Sequence, residues 1–337
     1  MYSDQELDSA VAAGALSAEA ADALRRHVAQ LRATPAVDEE QVRLITSFSD
    51  VFVVVGCAMV LTAIALLLRT AHDGLAALGV AACSWGLAEV FARRRHMALP
   101  SIMLTLTFVG GVFVGVLLLV GRRSPEAALL LAAGAALITG YAHWRRFYVP
   151  ITFAAGACAG TGVLVLLANT QIPADYRQFV SNVTAFALGA LVFLIAMRWD
   201  WSDLKRTTRR SDVAFWLHLL AAPLLVHPVF NALGVLGGSA STFAYVLVLA
   251  IYVLLALVSL VIDRRALLVS ALLYALVALA TLLKEFGVVS FSYALTALIL
   301  GGSLLMLSSY WHTSRAGLLR RLPSWLQSRV PFAGALA

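Results

Sequence analysis

Long apolar runs separated by short polar stretches fill the chain from Phe48 to Trp311. Each run is close to the roughly 20 residues that an α-helix needs to cross a hydrocarbon core about 30 Å thick. Ten can be placed, at about 48–68, 74–92, 99–120, 126–143, 149–168, 179–197, 213–230, 242–262, 265–283 and 290–311. The pattern predicts an all-α, polytopic membrane protein with about ten transmembrane helices. Helix signals bracket several runs. Ser124-Pro125-Glu126 supplies an N-cap, a proline at the first turn and an acid near the helix start. Ser211-Asp212 reads as the N-cap of the seventh run. Pro100 and Pro150 fall at the first turn of theirs.

The two ends follow a different pattern. Ser3-Asp4-Gln5-Glu6 is a capping-box sequence, and Leu7 and Val11 are spaced i, i+4. Gly14 suits a helix C-cap, and Ser17 opens a second periodic stretch through Leu24, Val28 and Leu31 before Pro35. Residues 3–33 are therefore expected to form two helices joined near Gly14–Ser17, either docked on basic loops or solvated. Leu318, Leu322, Trp325 and Leu326 share a face that Arg320, Arg321, Ser324 and Gln327 avoid. That spacing predicts a short helix over 317–328 lying at the membrane surface, with a disordered tail as the alternative. The chain thus divides into a cytoplasmic hairpin and linker (1–46), a ten-helix transmembrane domain (47–311) and a cytoplasmic amphipathic tail (312–337).

Composition agrees with the pattern: 61% hydrophobic residues, 13% charged and a mean hydropathy of +0.88. Lipid can cover that apolar load. The net charge of +7 does not point to nucleic acid, because the cations lie between apolar runs, where they act on orientation and on anionic headgroups. Only Arg69, Arg122, Arg123, Arg177 and Lys284 fall in loops after odd-numbered runs; the other 20 of the 25 Lys and Arg residues lie in the terminal segments and the loops after even-numbered runs. The positive-inside rule then places both termini in the cytoplasm. Asp4, Glu6 and Asp8 stand where a signal peptide would carry positive charge. Arginine outnumbers lysine 23 to 2, which fits a GC-rich bacterial genome. The expected location is the bacterial inner membrane, with the lipid bilayer and anionic headgroups at the Arg-rich loops as partners. Cys57, Cys83 and Cys158 fall in three different runs and read as small buried hydrophobes.

The stretch LDSAVAAGALSAEAADALRRH, with its Gly14-Ala15-Leu16-Ser17 turn, resembles the start of a family of bacterial membrane proteins of the DUF2157 type. The tail, Leu322-Pro323-Ser324-Trp325-Leu326-Gln327-Ser328-Arg329, and the segment 209–230, RRSDVAFWLHLLAAPLLVHPVF, are similar to that family as well. The resemblance covers the ends better than the middle. It implies an inner-membrane architecture and transfers no functional residue.

Charges inside a membrane are the default pointers to function, and few are placed there. Asp50 sits in the first turn of its run, and Glu89 lies four residues before Arg93, a helix-surface pair. The seventh run departs from the rest, with His218, Pro223, His227 and Pro228. Its prolines are expected to break the hydrogen bonding and leave the carbonyls near residues 219 and 224 without donors. Broken helices bearing a titratable group line substrate sites in many transporters. His218, Pro223 and His227 are therefore the candidate cavity-lining residues; the alternative is a neutral histidine bonded to a neighbouring helix and an interfacial His227. No catalytic, cofactor or metal site is expected, since GxSxG, HExxH, GxGxxG and Walker sequences are absent. Gly111-x-x-x-Gly115 and Gly156-x-x-x-Gly160 predict close helix crossings. A five-plus-five division of the runs would make two inverted halves. The expected function is that of a non-enzymatic accessory, scaffold or sensor protein. The alternative is a permease for a neutral or lipid-like small solute, with the seventh helix lining its path.

Overall fold

The computed structural model describes residues 4–31, 48–121, 124–170, 172–204, 206, 208–235, 240–287, 292–327 and 330, and all regular structure among them is helical. Helices α1 (Asp4–Ala12) and α2 (Ala18–Leu31) form the expected N-terminal pair. Gly14 takes φ +71° between them, a left-handed value that a residue without Cβ adopts readily. Ser17 Oγ caps α2 by accepting from the Ala20 amide at 3.1 Å. The pair belongs to a compact unit separate from that of residues 42–333.

Ten helices in the larger unit are long and apolar enough to cross a membrane. They are α3 (Phe48–Arg69), α4 (Asp73–Ala88), α5 (Ala98–Val120), α6 (Pro125–Phe147), α7 (Ile151–Asn169), α8 (Ala174–Trp201), α9 (Arg209–Ala232), α10 (Thr242–Ile262), α11 (Ala266–Glu285) and α12 (Ser292–Ser309). A π-helical turn, Glu89–Arg94, extends α4. Large apolar side chains point away from the protein; Met59, Leu67 and Phe243 are 68%, 72% and 74% exposed. Such surfaces are covered by lipid, and the backbone of each helix bonds internally as a bilayer requires. The chain is a multi-pass membrane protein.

Several helices overrun the apolar runs. α6 continues to Phe147, α8 begins at Ala174 and reaches Trp201, and α9 starts at Arg209. The flanking polar residues extend the helices although hydropathy cuts the runs short. Thr208, not Ser211, therefore caps α9, accepting from the Arg210 amide at 3.3 Å. Ser124 caps α6 as expected, with Pro125 in its first turn. The surface helix expected over 317–328 is instead two pieces, α13 (Trp311–Leu319) and α14 (Ser324–Gln327). Pro323 lies between them, where its missing N–H and fixed φ oppose a continuous helix. α13 packs against α10, with Trp311 and Arg315 buried.

Packing recurs at even intervals, of two helices and of four. α3 packs on α4 and α5 as α7 does on α8 and α9; α5 packs on α7 as α9 does on α11; α6 packs on α7 as α10 does on α11. An even interval keeps corresponding helices parallel, unlike a five-plus-five division. The recurrence is broken at one place, since α5 packs closely on α6 while the backbones of α9 and α10 stay further apart, their Val226, Phe230, Tyr245 and Val248 side chains belonging to one core cluster. The loops repeat the pattern. His96, Tyr148, Arg206 and Asp263 have φ values of 52°, 54°, 52° and 59°. They stand one each in the α4–α5, α6–α7, α8–α9 and α10–α11 loops, all on one face. Each pays about 1–2 kcal/mol for a left-handed backbone without being glycine.

Two helix pairs meet most closely. A Cβ added at Gly111 would lie 2.8 Å from the Ala77 carbonyl oxygen, and one at Gly115 would lie 3.2 Å from that of Gly74. The first glycine motif thus makes the expected close crossing, of α5 on α4. The second does not: Cβ atoms at Gly156 and Gly160 would reach only the Leu137 side chain, at 4.0 and 3.8 Å. Gly189 of α8 lies against α9, where an added Cβ would be 2.8 Å from Leu224 Cβ and 2.9 Å from its carbonyl carbon.

Candidate functional site at the arginine-rich face

The four loops with left-handed residues share a face with the start of α13, and most of the described arginines gather there. Glu89, in the π-helical turn, accepts from Arg93 at 3.3 Å, the pair expected from sequence. It also accepts a two-pronged bond from Arg146, Nε to Oε1 at 2.7 Å and Nη2 to Oε2 at 3.1 Å. Four helices later the relation repeats. Asp200, in the last turn of α8, accepts from Nη2 and Nε of Arg264 in the α10–α11 loop, the latter at 3.3 Å. The first fork is open to solvent; the second is buried, with Asp200 3% and Arg264 1% exposed.

Burial makes the remaining bonds obligatory, because a desolvated charge without partners is very costly. Asp200 Oδ2 lies 2.9 Å from His218 Nε2. Arg264 also donates to the Ser211 carbonyl and hydroxyl at 3.1 Å each, and its own carbonyl accepts from Ser259 Oγ at 2.5 Å. A second centre forms at Asp263, which accepts from Arg206 Nη1 at 3.0 Å and Trp311 Nε1 at 2.7 Å, with Arg315 Nε at 3.7 Å. Arg206 further donates to the carbonyls of Ile262 and Asp263, and Arg315 donates to that of Leu260. These are carbonyls at the C-terminus of α10, which lack helical partners and attract cations. The ends of α8, α9, α10, α11 and α13 are thereby tied into one buried polar layer.

The three residues singled out from sequence do not converge on one cavity. His218 is fully buried, between Asp200 and the Phe193 ring at 5.2 Å. Pro223 lines a groove of about 670 Å³ between α5, α6, α7 and α9, together with Phe113, Ala159, Trp216 and Leu220; His218 and His227 are outside its wall. Among the described residues, none that lines it is charged. His227 is on an exposed face with Nδ1 2.5 Å from Tyr274 Oη. α9 runs as one helix through Pro223 and Pro228, although neither proline has an N–H to donate to the carbonyls of residues 219 and 224. Gly189 of α8 packs against Leu224, the residue whose carbonyl Pro228 leaves without its helical donor.

Sequence reasoning missed Asp200, because the sixth run was ended at residue 197. The signal was there: Gly189, Val192, Ala196 and Asp200 lie on one helical face, and all four are buried. It also passed over His143, buried among Trp85, Phe108 and Phe147 at ring distances of 5.8, 5.4 and 4.6 Å, with neither ring nitrogen hydrogen-bonded. Among the described residues no group of three or more His, Cys, Asp or Glu side chains could hold a metal ion.

No family model matches the chain, and neither a curated protein nor a solved structure matches it.

Proposed function

We propose that this is a non-enzymatic accessory or scaffold protein of the bacterial inner membrane, with both termini and the arginine-rich face in the cytoplasm. The observation that carries the reading is the use made of the buried ionic groups. Asp200, His218, Arg264, Asp263, Arg206 and Arg315 bond to one another and to helix ends. That is the bonding of a layer that fixes helices in place. The tally of Lys and Arg between the two sets of loops supports the orientation. The DUF2157-like motifs fit the same location. Anionic headgroups at the cytoplasmic face are the proposed lipid partners.

The groove beside Pro223 favours a second reading, a permease for a lipid-like solute. Its wall is apolar and includes Gly162, where an added Cβ would meet nothing within 4 Å. The full-length protein in liposomes should leave the flip-flop of a fluorescent phospholipid at the protein-free rate. Acceleration by the protein that Gly162→Leu abolishes would replace the scaffold reading with the permease one.

A further inference from the structure

The apolar wall of the groove beside Pro223 is interrupted at one turn of α9. Leu219 and Pro223 both line the groove, and residues four apart on a helix share a face. The Leu219 carbonyl points along α9 toward Pro223, which has no N–H to give it. Pro223 is itself exposed, so this turn opens onto the groove.

The wall offers that carbonyl little in exchange. Among the described lining residues, only Trp216 and Cys158 carry a side-chain donor. Helical side chains lean toward the N-terminus, away from the direction of the carbonyls, and Trp216 packs on the cluster that holds Phe147 and Ile151. The Cys158 thiol is a weak donor. Depth removes the other sources. From Ser211, in the buried polar layer, to Leu219 the rise within α9 is about 12 Å. Half of a hydrocarbon core about 30 Å thick is about 15 Å. The acceptor therefore lies near the bilayer centre, where water is scarce and an unpaired carbonyl is costly. Phospholipid headgroups stay at the surface, and their acyl chains carry no donor.

An occupant that pairs this carbonyl needs a donor at depth and an apolar body. It also needs to be uncharged, since none of the described lining residues could pair with a charge. We propose that the groove is a binding site for an uncharged lipid alcohol. The hydroxyl donates to the Leu219 carbonyl, and the apolar body lies against Phe113, Ala159 and Gly162. A volume of about 670 Å³ is within the range of small-molecule sites. The proposal concerns occupancy alone, and it stands whether the protein is a scaffold or a permease.

The test is native mass spectrometry of the full chain in detergent micelles. The probes are geranylgeraniol, a prenol with one hydroxyl, and its methyl ether, which keeps the body and lacks the donor. Retention of the alcohol about fivefold above that of the ether is expected, the weight of one hydrogen bond. Pro223→Ala returns an N–H to the Leu219 carbonyl and should lower alcohol retention to that of the ether. Pro228→Ala does the same for Leu224, outside the groove, and should keep the preference. Gly162→Leu should lower retention of both probes, since its side chain enters open space in the wall. Equal retention of alcohol and ether by the unaltered protein would assign the groove to acyl chains and overturn the proposal. A preference that survives Pro223→Ala, a preference lost equally in Pro228→Ala, or retention unaffected by Gly162→Leu would overturn it as well.

Discussion

Asp200→Ala is expected to be the most destabilising single change at the arginine-rich face, at about 3–5 kcal/mol. The substitution removes the carboxylate and leaves Arg264, 1% exposed, buried with only the Ser211 oxygens to receive its donors. His218 loses its one hydrogen bond at the same time. Arg264→Met should destabilise for the converse reason, by stranding the carboxylate. The double variant Asp200→Leu/Arg264→Met should recover much of the loss, because an apolar pair of similar volume leaves no buried charge unmatched. Glu89→Ala provides the contrast: its fork with Arg146 has the same form but is open to solvent, where water screens it, so its loss should be much smaller. Thermal unfolding of the four variants in detergent checks the series. Equal losses for Asp200→Ala and Glu89→Ala would mean that burial of the second fork contributes nothing.

The second large effect is expected at the α8–α9 crossing. A side chain at Gly189 meets Leu224 Cβ at 2.8 Å and the Leu224 carbonyl carbon at 2.9 Å, and the latter is backbone that cannot rotate away. Gly189→Leu should separate the helices and destabilise by about 1–3 kcal/mol or more. The separation also moves Asp200 from His218, since both pairs lie along the same two helices. Gly162→Leu, into open space on α7, should leave the unfolding temperature nearly unchanged. A Gly189→Leu protein as stable as Gly162→Leu would show that α8 and α9 do not press together as described.

The spans were legible because apolar length is a property of each segment alone. The ten helices fall where hydropathy put them, and errors gather at their ends, where helix formation and hydropathy part company. The same error hid the buried polar layer. Asp200 and Arg264 read as loop charges until α8 is carried one turn further and the left-handed turn at Asp263 folds the α10–α11 loop onto it. His218 then has a partner 18 residues away in sequence, a distance no periodicity within its own helix reveals. The prolines of α9 illustrate the opposite case. Each removes a backbone donor, yet α9 continues as helix through both. Likewise, Gly111 and Gly156 carry the same spacing, and only the first meets another backbone. The recurrence was out of reach of sequence because it resides in loop conformation and packing partners. Its clearest shared sequence feature is a pair of arginines, Arg145-Arg146 and Arg264-Arg265.

The orientation of the arginine-rich face underlies the proposed location. It is tested most directly by labelling single cysteines from the two sides of the membrane. In a background with Cys57, Cys83 and Cys158 changed to alanine, Tyr176→Cys and Ser202→Cys place thiols at exposed positions on opposite ends of α8. A membrane-impermeant maleimide added to intact cells should label position 176 and spare position 202, and inverted vesicles should give the reverse. Labelling of both positions from the same side would contradict the membrane-spanning arrangement, and labelling of position 202 in intact cells would contradict a cytoplasmic arginine-rich face.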